Sequence, residues 1–156
     1  MKKVIVRLGN GLGNQLFTYA AAYAFAKKHN AELFVDNESG FYKRYKYELH
    51  NFNISAQIVE KKHKFVGFLG KVKRKILIKL SKSNSDSKFL IEARDKNKLS
   101  NYNPIQLNIN FNKNLYFEGY FQSEKYFKSD IEHLLKEFSF KDNIINQNNS
   151  FIKDIK

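Results

Sequence analysis

Apolar and polar positions in the first forty residues follow the pattern of a strand, a helix and a second strand. Residues 2–8 hold a short apolar run closed by glycines, which is typical of a buried strand. Between residues 15 and 30, apolar side chains recur at the spacing of one helix face, and basic residues close that stretch. Residues 32–36 complete a β-α-β unit, which predicts an α/β fold with a Rossmann-like parallel sheet flanked by helices.

The later part of the chain predicts fewer elements. Residues 115–121 have the composition of a strand, and Ser123 is predicted to cap a following helix whose apolar face runs to Phe138. Residues 81–88 are small and polar and are predicted to form a flexible loop. Residues 41–54 mix aromatic and basic side chains that suit either a substrate-facing loop or a surface strand. These elements predict one α/β unit over residues 1–140, followed by a polar tail over 141–156.

Residues 65–80 predict a further helix with an unusual distribution of charge. Basic side chains surround a single apolar stripe formed by Phe65, Phe68, Leu69, Val72, Ile76 and Leu80. This is the pattern of a helix lying on an anionic membrane, and equally of a core helix with a solvated basic edge. We expect the core helix, because glycines interrupt the first turns and a small α/β unit needs helices to cover its sheet.

Composition removes several functional classes. The chain has 156 residues and no cysteine, so it offers no disulfide scaffold, thiol nucleophile or Cys-ligated zinc site. Its four histidines lack metal-binding spacing, and no metal is expected. The net charge of +13 comes with lysine and asparagine spread throughout the chain, so we expect no nucleic-acid partner. With no signal peptide or membrane-spanning stretch in the pattern, we expect a cytoplasmic protein.

The glycine-rich loop over residues 9–14 is the clearest chemical signal. A strand, a glycine turn and a helix beginning at that turn form an anion site, since the first backbone N–H groups of the helix are unpaired. The dinucleotide-binding fingerprint asks for a third glycine where Asn14 stands, and for an acidic residue that Asp36 would supply. A dinucleotide-dependent oxidoreductase and a turn that only packs helix on strand therefore both stay open.

Three segments together resemble glycosyltransferase family 11, the α-1,2-fucosyltransferases. The loop continues as Gly11-Leu12-Gly13-Asn14-Gln15, which is similar to the GLGNQ motif that opens this family. Residues 47–54 resemble its Tyr-x-Leu-x-x-Phe stretch, and residues 120–127 resemble its aromatic-Gln-Ser-x-x-Tyr-Phe segment. Their order and spacing also match, over residues 2 to about 140.

The resemblance implies the amino-terminal lobe of a two-lobed, GT-B-like enzyme. Such an enzyme transfers fucose from GDP-fucose to a galactose 2-hydroxyl of a surface glycan, with inversion and without an obligatory metal or other cofactor. In the family a His-x-Arg-Arg-Gly-Asp motif in the later half binds the donor diphosphate, and this chain has no such motif. The resemblance therefore implies a fragment that needs a missing carboxyl-terminal lobe and is inactive alone. It also implies contact with the inner membrane face, where bacterial relatives act on lipid-linked acceptors.

The site residues follow from the same resemblance. The donor-binding residues would be Gly11, Leu12, Gly13 and Asn14, and the substrate-side residues Gln122, Ser123 and Glu124. Gln15 either caps the helix or braces the loop. Glu124 is a candidate base toward the acceptor hydroxyl, although a first-turn Glu that suits the helix dipole explains it more simply. No catalytic residue is assigned. A non-catalytic remnant or binding module with the same fold is the main alternative function.

Overall fold

The computed structural model describes residues 1–42, 44–81, 87–93 and 101–147, and these form a parallel sheet with helices around it. Five strands pair in the order β3-β2-β1-β5-β4, with every pairing parallel. The strands are β1 (Lys3–Arg7), β2 (Glu32–Asp36), β3 (Gln57–Ile58), β4 (Phe89–Ile91) and β5 (Asn114–Glu118). The helices are α1 (Leu12–Lys28), α2 (Gly67–Ser81) and α3 (Ile131–Glu137), and residues 142–147 of the predicted polar tail are also helical. The predicted α/β fold with a Rossmann-like sheet is thereby confirmed.

Strand β1 lies at the centre of the sheet because its side chains are apolar on both faces. Val4, Ile5 and Val6 are fully buried, as expected for a parallel strand covered on each side. Lys3 is in register with Glu32 of β2 on one side and with Asn114 of β5 on the other. The crossover from β1 to β2 runs through α1, so the predicted β-α-β unit is present.

Helix α1 packs closely on the sheet because five of its buried residues are alanines. These are Ala20, Ala21, Ala22, Ala24 and Ala26. Tyr19 and Phe25 fill the space beside them, and the Phe25 ring contacts Phe117 of β5 in a tilted arrangement with ring centroids 5.5 Å apart. The helix begins at Leu12, three residues earlier than the pattern indicates, and it ends before His29.

The chain after β5 differs from the prediction. The strand ends at Glu118 because Gly119 and Phe121 both have positive φ angles, which an extended strand cannot continue. The next residues form two short 3₁₀ turns, Glu124–Tyr126 and Lys128–Asp130, before α3 begins. Ser123 precedes the first turn, but its hydroxyl makes no capping hydrogen bond. The predicted cap is therefore wrong, and the helix is shorter than predicted.

The structure settles one ambiguous segment and leaves most of the predicted flexible loop untested. Residues 41–42 and 44–54 form a loop with one 3₁₀ turn at Leu49–Asn51, and these described residues include no strand. Of the predicted flexible loop, residues 82–86 lie outside the described part of the chain. The edge strands β3 and β4 were not predicted, since two or three residues carry no recognisable period.

Helix α2 is not a core helix, so that expectation is wrong. None of its residues is buried, and Phe68 and Leu69 are 79% and 81% exposed. The helix packs instead through a partly buried side formed by Gly70, Arg74, Leu77 and Ile78. Glycine suits position 70, where an added Cβ would lie 2.5 Å from the carbonyl carbon of Phe65. Among the described helices, none is long and apolar enough to cross a membrane.

Candidate functional site

An open cavity lies where the two central strands end. It has a volume of about 420 Å³ and sits at the carboxyl ends of β1 and β5. The chain leaves β1 toward β2 on one side, while β5 and β4 lie on the other, so this is the point where strand order reverses. Open α/β sheets bind ligands at such a point. The cavity is lined by Arg7, Leu8, Gly9, Asn10, Thr18, Gly40, Tyr42, Arg74, Ile91, Glu92, Glu118, Gly119 and Tyr120.

Two arginines and one glutamate form a charged cluster in the wall of the cavity. Glu118, the last residue of β5, accepts hydrogen bonds from Nε and Nη2 of Arg74, the first at 2.8 Å. Arg7 at the end of β1 places Nη1 3.5 Å from the same carboxylate and donates from Nη2 to the Ser39 carbonyl at 2.6 Å. This cluster has one more guanidinium group than carboxylate, but Glu92 also lines the cavity, so the charged residues of the cavity wall balance.

Glu92 fixes the loop that leaves β5. Its carboxylate accepts the backbone N–H of Tyr120 at 2.7 Å and that of Phe121 at 2.9 Å. Gly119 lies against it so closely that an added Cβ would be 2.4 Å from the Glu92 Cβ. Phe121 is fully buried with φ 49°, a conformation that costs an ordinary side chain about 1–3 kcal/mol. The conformation of this loop is therefore fixed by its contacts rather than by the intrinsic backbone preferences of its residues.

Gln15 braces the glycine loop, which decides between its two predicted roles. It is fully buried and donates from Nε2 to the carbonyls of Asn10 and Lys46, at 3.0 and 2.8 Å. Its Oε1 accepts the backbone N–H of Glu48 at 2.9 Å. Gln15 makes no capping bond to the first turn of α1. The buried amide thus ties the first motif to the second motif at residues 47–54.

The first and third motifs also meet. Gln122 donates from Nε2 to Oδ1 of Asn14 at 2.7 Å, although the two residues are 108 positions apart. Beneath them the Thr18 hydroxyl lies 2.7 Å from the Asn14 carbonyl and 3.0 Å from that of Gly119, so it can donate to either. The start of α1 and the exit of β5 are therefore joined into one polar surface beside the cavity.

The predicted site residues lie on this surface rather than in the cavity wall. Gly11, Leu12 and Asn14 are partly buried and Gly13 is exposed, while Gln122 and Glu124 are exposed and Ser123 is partly buried. None of the seven lines the cavity. An added Cβ at Gly13 would meet no atom within 4 Å, so the described chain leaves the space in front of it open.

Asp36 does not offer the free carboxylate that a dinucleotide site needs. It is buried, and its oxygens accept the backbone N–H groups of Glu38 and Ser39 and the Ser39 hydroxyl. The loop that it holds passes over the end of β1, where a Cβ on Gly40 would lie 1.9 Å from the Leu8 carbonyl oxygen. Both carboxylate oxygens are used within this loop. That reduces the support for an oxidoreductase.

Sequence reasoning missed the charged residues of the cavity. Arg7, Arg74, Glu92 and Glu118 come from three strands or their ends and one helix, so no local motif contains them. One signal was available, because Arg7 and Glu118 directly follow the apolar runs of β1 and β5, at the carboxyl ends of these strands. Among the described residues, no group of three His, Asp or Glu side chains is placed to hold a metal ion.

Comparison with known proteins gives a distant relative of defined activity. The chain is 29% identical over 143 residues to an alpha-1,2-colitosyltransferase of Escherichia coli. The alignment covers 89% of this chain and 46% of the relative, so the chain spans about half the length of that protein. No family model and no solved structure matches the chain. The similarity supports a glycosyltransferase-like function at a coarse level.

Proposed function

We propose that this chain forms the amino-terminal lobe of a GT-B-like glycosyltransferase that transfers fucose from GDP-fucose to the 2-hydroxyl of a galactose in a glycan. The observation that carries the proposal is the Asn14–Gln122 hydrogen bond, because it joins two motif segments into one surface beside the cavity. The distant relative supports it at the level of glycosyl transfer, and its name also specifies an α-1,2 linkage.

In this proposal the opening residues of α1 face the donor. Gly11, Leu12, Gly13 and Asn14 lie at a helix amino terminus with no acidic residue in the first turn, so its unpaired N–H groups favour an anion. The open space at Gly13 allows a sugar or phosphate to approach the backbone closely. GDP-fucose is the donor substrate, and no other cofactor is proposed.

Residues 122–124 face the galactoside in the same proposal. Gln122 is held by Asn14, and this leaves its Oε1 free to accept a sugar hydroxyl. Glu124 is exposed, and its carboxylate has no partner among the described residues. Its position at the start of a 3₁₀ turn fits the dipole role, and its freedom fits a base. Glu92 and Glu118 are unsuited to act as the base, since both already accept two or more hydrogen bonds.

Departure of GDP limits what this lobe can do alone. The leaving diphosphate develops negative charge that positioned cations or N–H donors must stabilise when no metal does so. Arg7 and Arg74 share Glu118, and Glu92 lines the same cavity, so the cavity contributes no net positive charge. We therefore propose that a second lobe supplies most of the diphosphate contacts and that residues 1–156 alone transfer no fucose. Turnover of labelled GDP-fucose onto a galactoside by residues 1–156 would refute this part.

Calorimetric titration tests the proposal directly. GDP-fucose, GDP-colitose, methyl β-galactoside and NAD are titrated separately into the chain. We expect binding of GDP-fucose and of the galactoside, and none of NAD. Stronger binding of GDP-colitose than of GDP-fucose would move the donor assignment to the sugar that the relative's name specifies.

Matched variants show whether the proposed surface is responsible. Asn14→Ala and Gln122→Ala each remove one partner of the hydrogen bond and are expected to weaken binding about tenfold. Gln57→Ala, at an exposed position on the edge strand β3, is the control and is expected to bind as the parent does. Binding of NAD together with no binding of either GDP-sugar would overturn the proposal.

A further inference from the structure

Helix α2 carries a row of large apolar side chains that the described part of the chain leaves in water. Its partly buried side faces the protein, and the opposite side exposes the five residues of the predicted stripe that lie within α2, each between 39% and 81% exposed; Phe65 precedes the helix and is buried. These are Phe68, Leu69, Val72, Ile76 and Leu80. A contiguous apolar row of this kind marks an interaction surface rather than ordinary solvent-exposed residues.

The same helix carries positive charge along the edges of the stripe. At 3.6 residues per turn, Lys71 and Lys75 lie on one side of the stripe, Lys73 on the other, and Lys79 among the apolar residues. All four are exposed, and none is in an ion pair with a described residue. The helix has no acidic residue. Long lysine side chains beside apolar residues can extend toward a charged interface.

Contacts on the opposite side keep this face outward. Arg74 projects away from the stripe and pairs with Glu118 at the end of β5. Gly70 approaches Phe65 too closely for any larger side chain. Rolling the stripe inward would break the Arg74–Glu118 pair and leave a buried carboxylate with one weaker partner, Arg7 at 3.5 Å. The exposed face is therefore built into the fold.

We propose that α2 lies flat on an anionic lipid surface, with the stripe among the acyl chains and the four lysines on headgroup phosphates. A helix of 15 residues is about 22 Å long and suits the interface plane. Charge decides against a second copy of this chain, because two such helices face to face would bring lysines together without a carboxylate. The inference does not depend on the proposed glycosyl transfer.

A single tryptophan tests insertion, because the chain contains none. Phe68→Trp reports on α2, and Leu135→Trp, at an exposed position on α3, is the matched control. With vesicles of phosphatidylcholine and about one-third phosphatidylglycerol, we expect a blue shift at position 68 only. Phosphatidylcholine alone should give no shift, and raising salt to about 0.5 M should reverse it.

A charge-matched pair of variants tests the lysines. Changing Lys71, Lys73, Lys75 and Lys79 to Gln is expected to weaken vesicle partitioning about a hundredfold or more. Changing the exposed Lys113, Lys128, Lys136 and Lys141 to Gln gives the same net charge and is expected to alter partitioning less than about threefold. Arg74 is left in place in both, since it belongs to the cavity wall.

Several outcomes would overturn the proposal that α2 lies on an anionic lipid surface. The protein would not bind anionic vesicles, or both quadruple variants would bind them equally. Alternatively, the tryptophan emission would shift equally at positions 68 and 135. A shift of the position-68 tryptophan that grows with protein concentration without lipid would show self-association instead. A blue-shifted emission without lipid in the full-length gene product would show that protein covers α2.

Discussion

At the residue scale, the molecule uses glycine for two opposite reasons. Gly119 is required by crowding, since Glu92 and Phe121 lie within 2.7 Å of the place where its Cβ would stand. Gly13 has no such neighbour, so no contact inside the described chain requires a glycine there. A glycine with open space at the start of a helix beside a cavity is compatible with the proposed close approach of a donor.

The pair Gly119→Ala and Gly13→Ala separates these reasons. Gly119→Ala is expected to lower the free energy of unfolding by about 2–4 kcal/mol, because the new methyl group overlaps Glu92 and the loop must move. Gly13→Ala is expected to leave stability unchanged or to raise it by up to about 1 kcal/mol, since alanine favours helix. Urea unfolding followed by circular dichroism measures both.

Ligand binding gives the second half of this comparison. Gly13→Ala is expected to weaken GDP-fucose binding at least tenfold despite its intact fold, because the methyl group occupies the open space before the helix. Unchanged affinity in this stable variant would contradict the assignment of Gly13 to the donor side.

At the element scale, one ion pair connects α2 to the sheet. Arg74 is the charged residue through which α2 reaches Glu118, and its hydrogen bonds to that carboxylate raise the pKa of the guanidinium. The other partly buried residues of α2 are small or apolar. We infer that this pair holds the position of the helix, while the central strands hold the fold.

Arg74→Gln is therefore expected to loosen α2 without unfolding the sheet. Amide hydrogens of residues 71–81 should exchange about ten- to a hundredfold faster, whereas those of β1 and β5 should keep their protection. Lys73→Gln, at an exposed position of the same helix, is the control and should change neither set. Equal protection of α2 in the parent and in Arg74→Gln would show that apolar contacts alone position the helix.

The sequence predicts the elements well where one period is strong. The unit of β1, α1 and β2 was predicted within three residues at each end, because Val4 to Val6 and the alanine-rich face of α1 leave little choice. The helix at α2 was predicted, but the prediction that it is a core helix was wrong, because an apolar stripe alone does not identify what packs against it. The Arg7–Glu118–Arg74 cluster was not predicted, because it depends on the order of β1 and β5 in the sheet.

At the scale of the whole molecule, buried tyrosines limit stability in alkali. Tyr19 is fully buried and donates to Glu137 at 2.6 Å, and burial first, then this carboxylate, raise its pKa. Burial raises the pKa of Tyr47 to about 12 from 10.0. Because both folded pKa values exceed the unfolded one, this stability is complete below pH 10 and is lost as pH rises toward 12 and beyond.

The expected result is a steep fall in the urea midpoint above about pH 10, with Tyr19 contributing up to about 1.4 kcal/mol per pH unit. Tyr19→Phe should flatten this fall, while Tyr102→Phe, at a more exposed ring, should leave the slope unchanged. The same slope in Tyr19→Phe and the parent would show that other groups cause alkaline unfolding.

At this scale the described chain presents a polar surface beside a cavity lined by two arginines and two glutamates, and we propose that a nucleotide sugar and a galactoside meet there. Titration of the ¹⁵N-labelled chain with GDP-fucose and with methyl β-galactoside, followed at each backbone amide, tests this most directly. GDP-fucose should perturb the amides of residues 11–14, and the galactoside those of residues 122–124. Perturbations confined to other surfaces would contradict the proposed site. So would a titration in which neither ligand perturbs any amide while NAD perturbs the amides of residues 9–14.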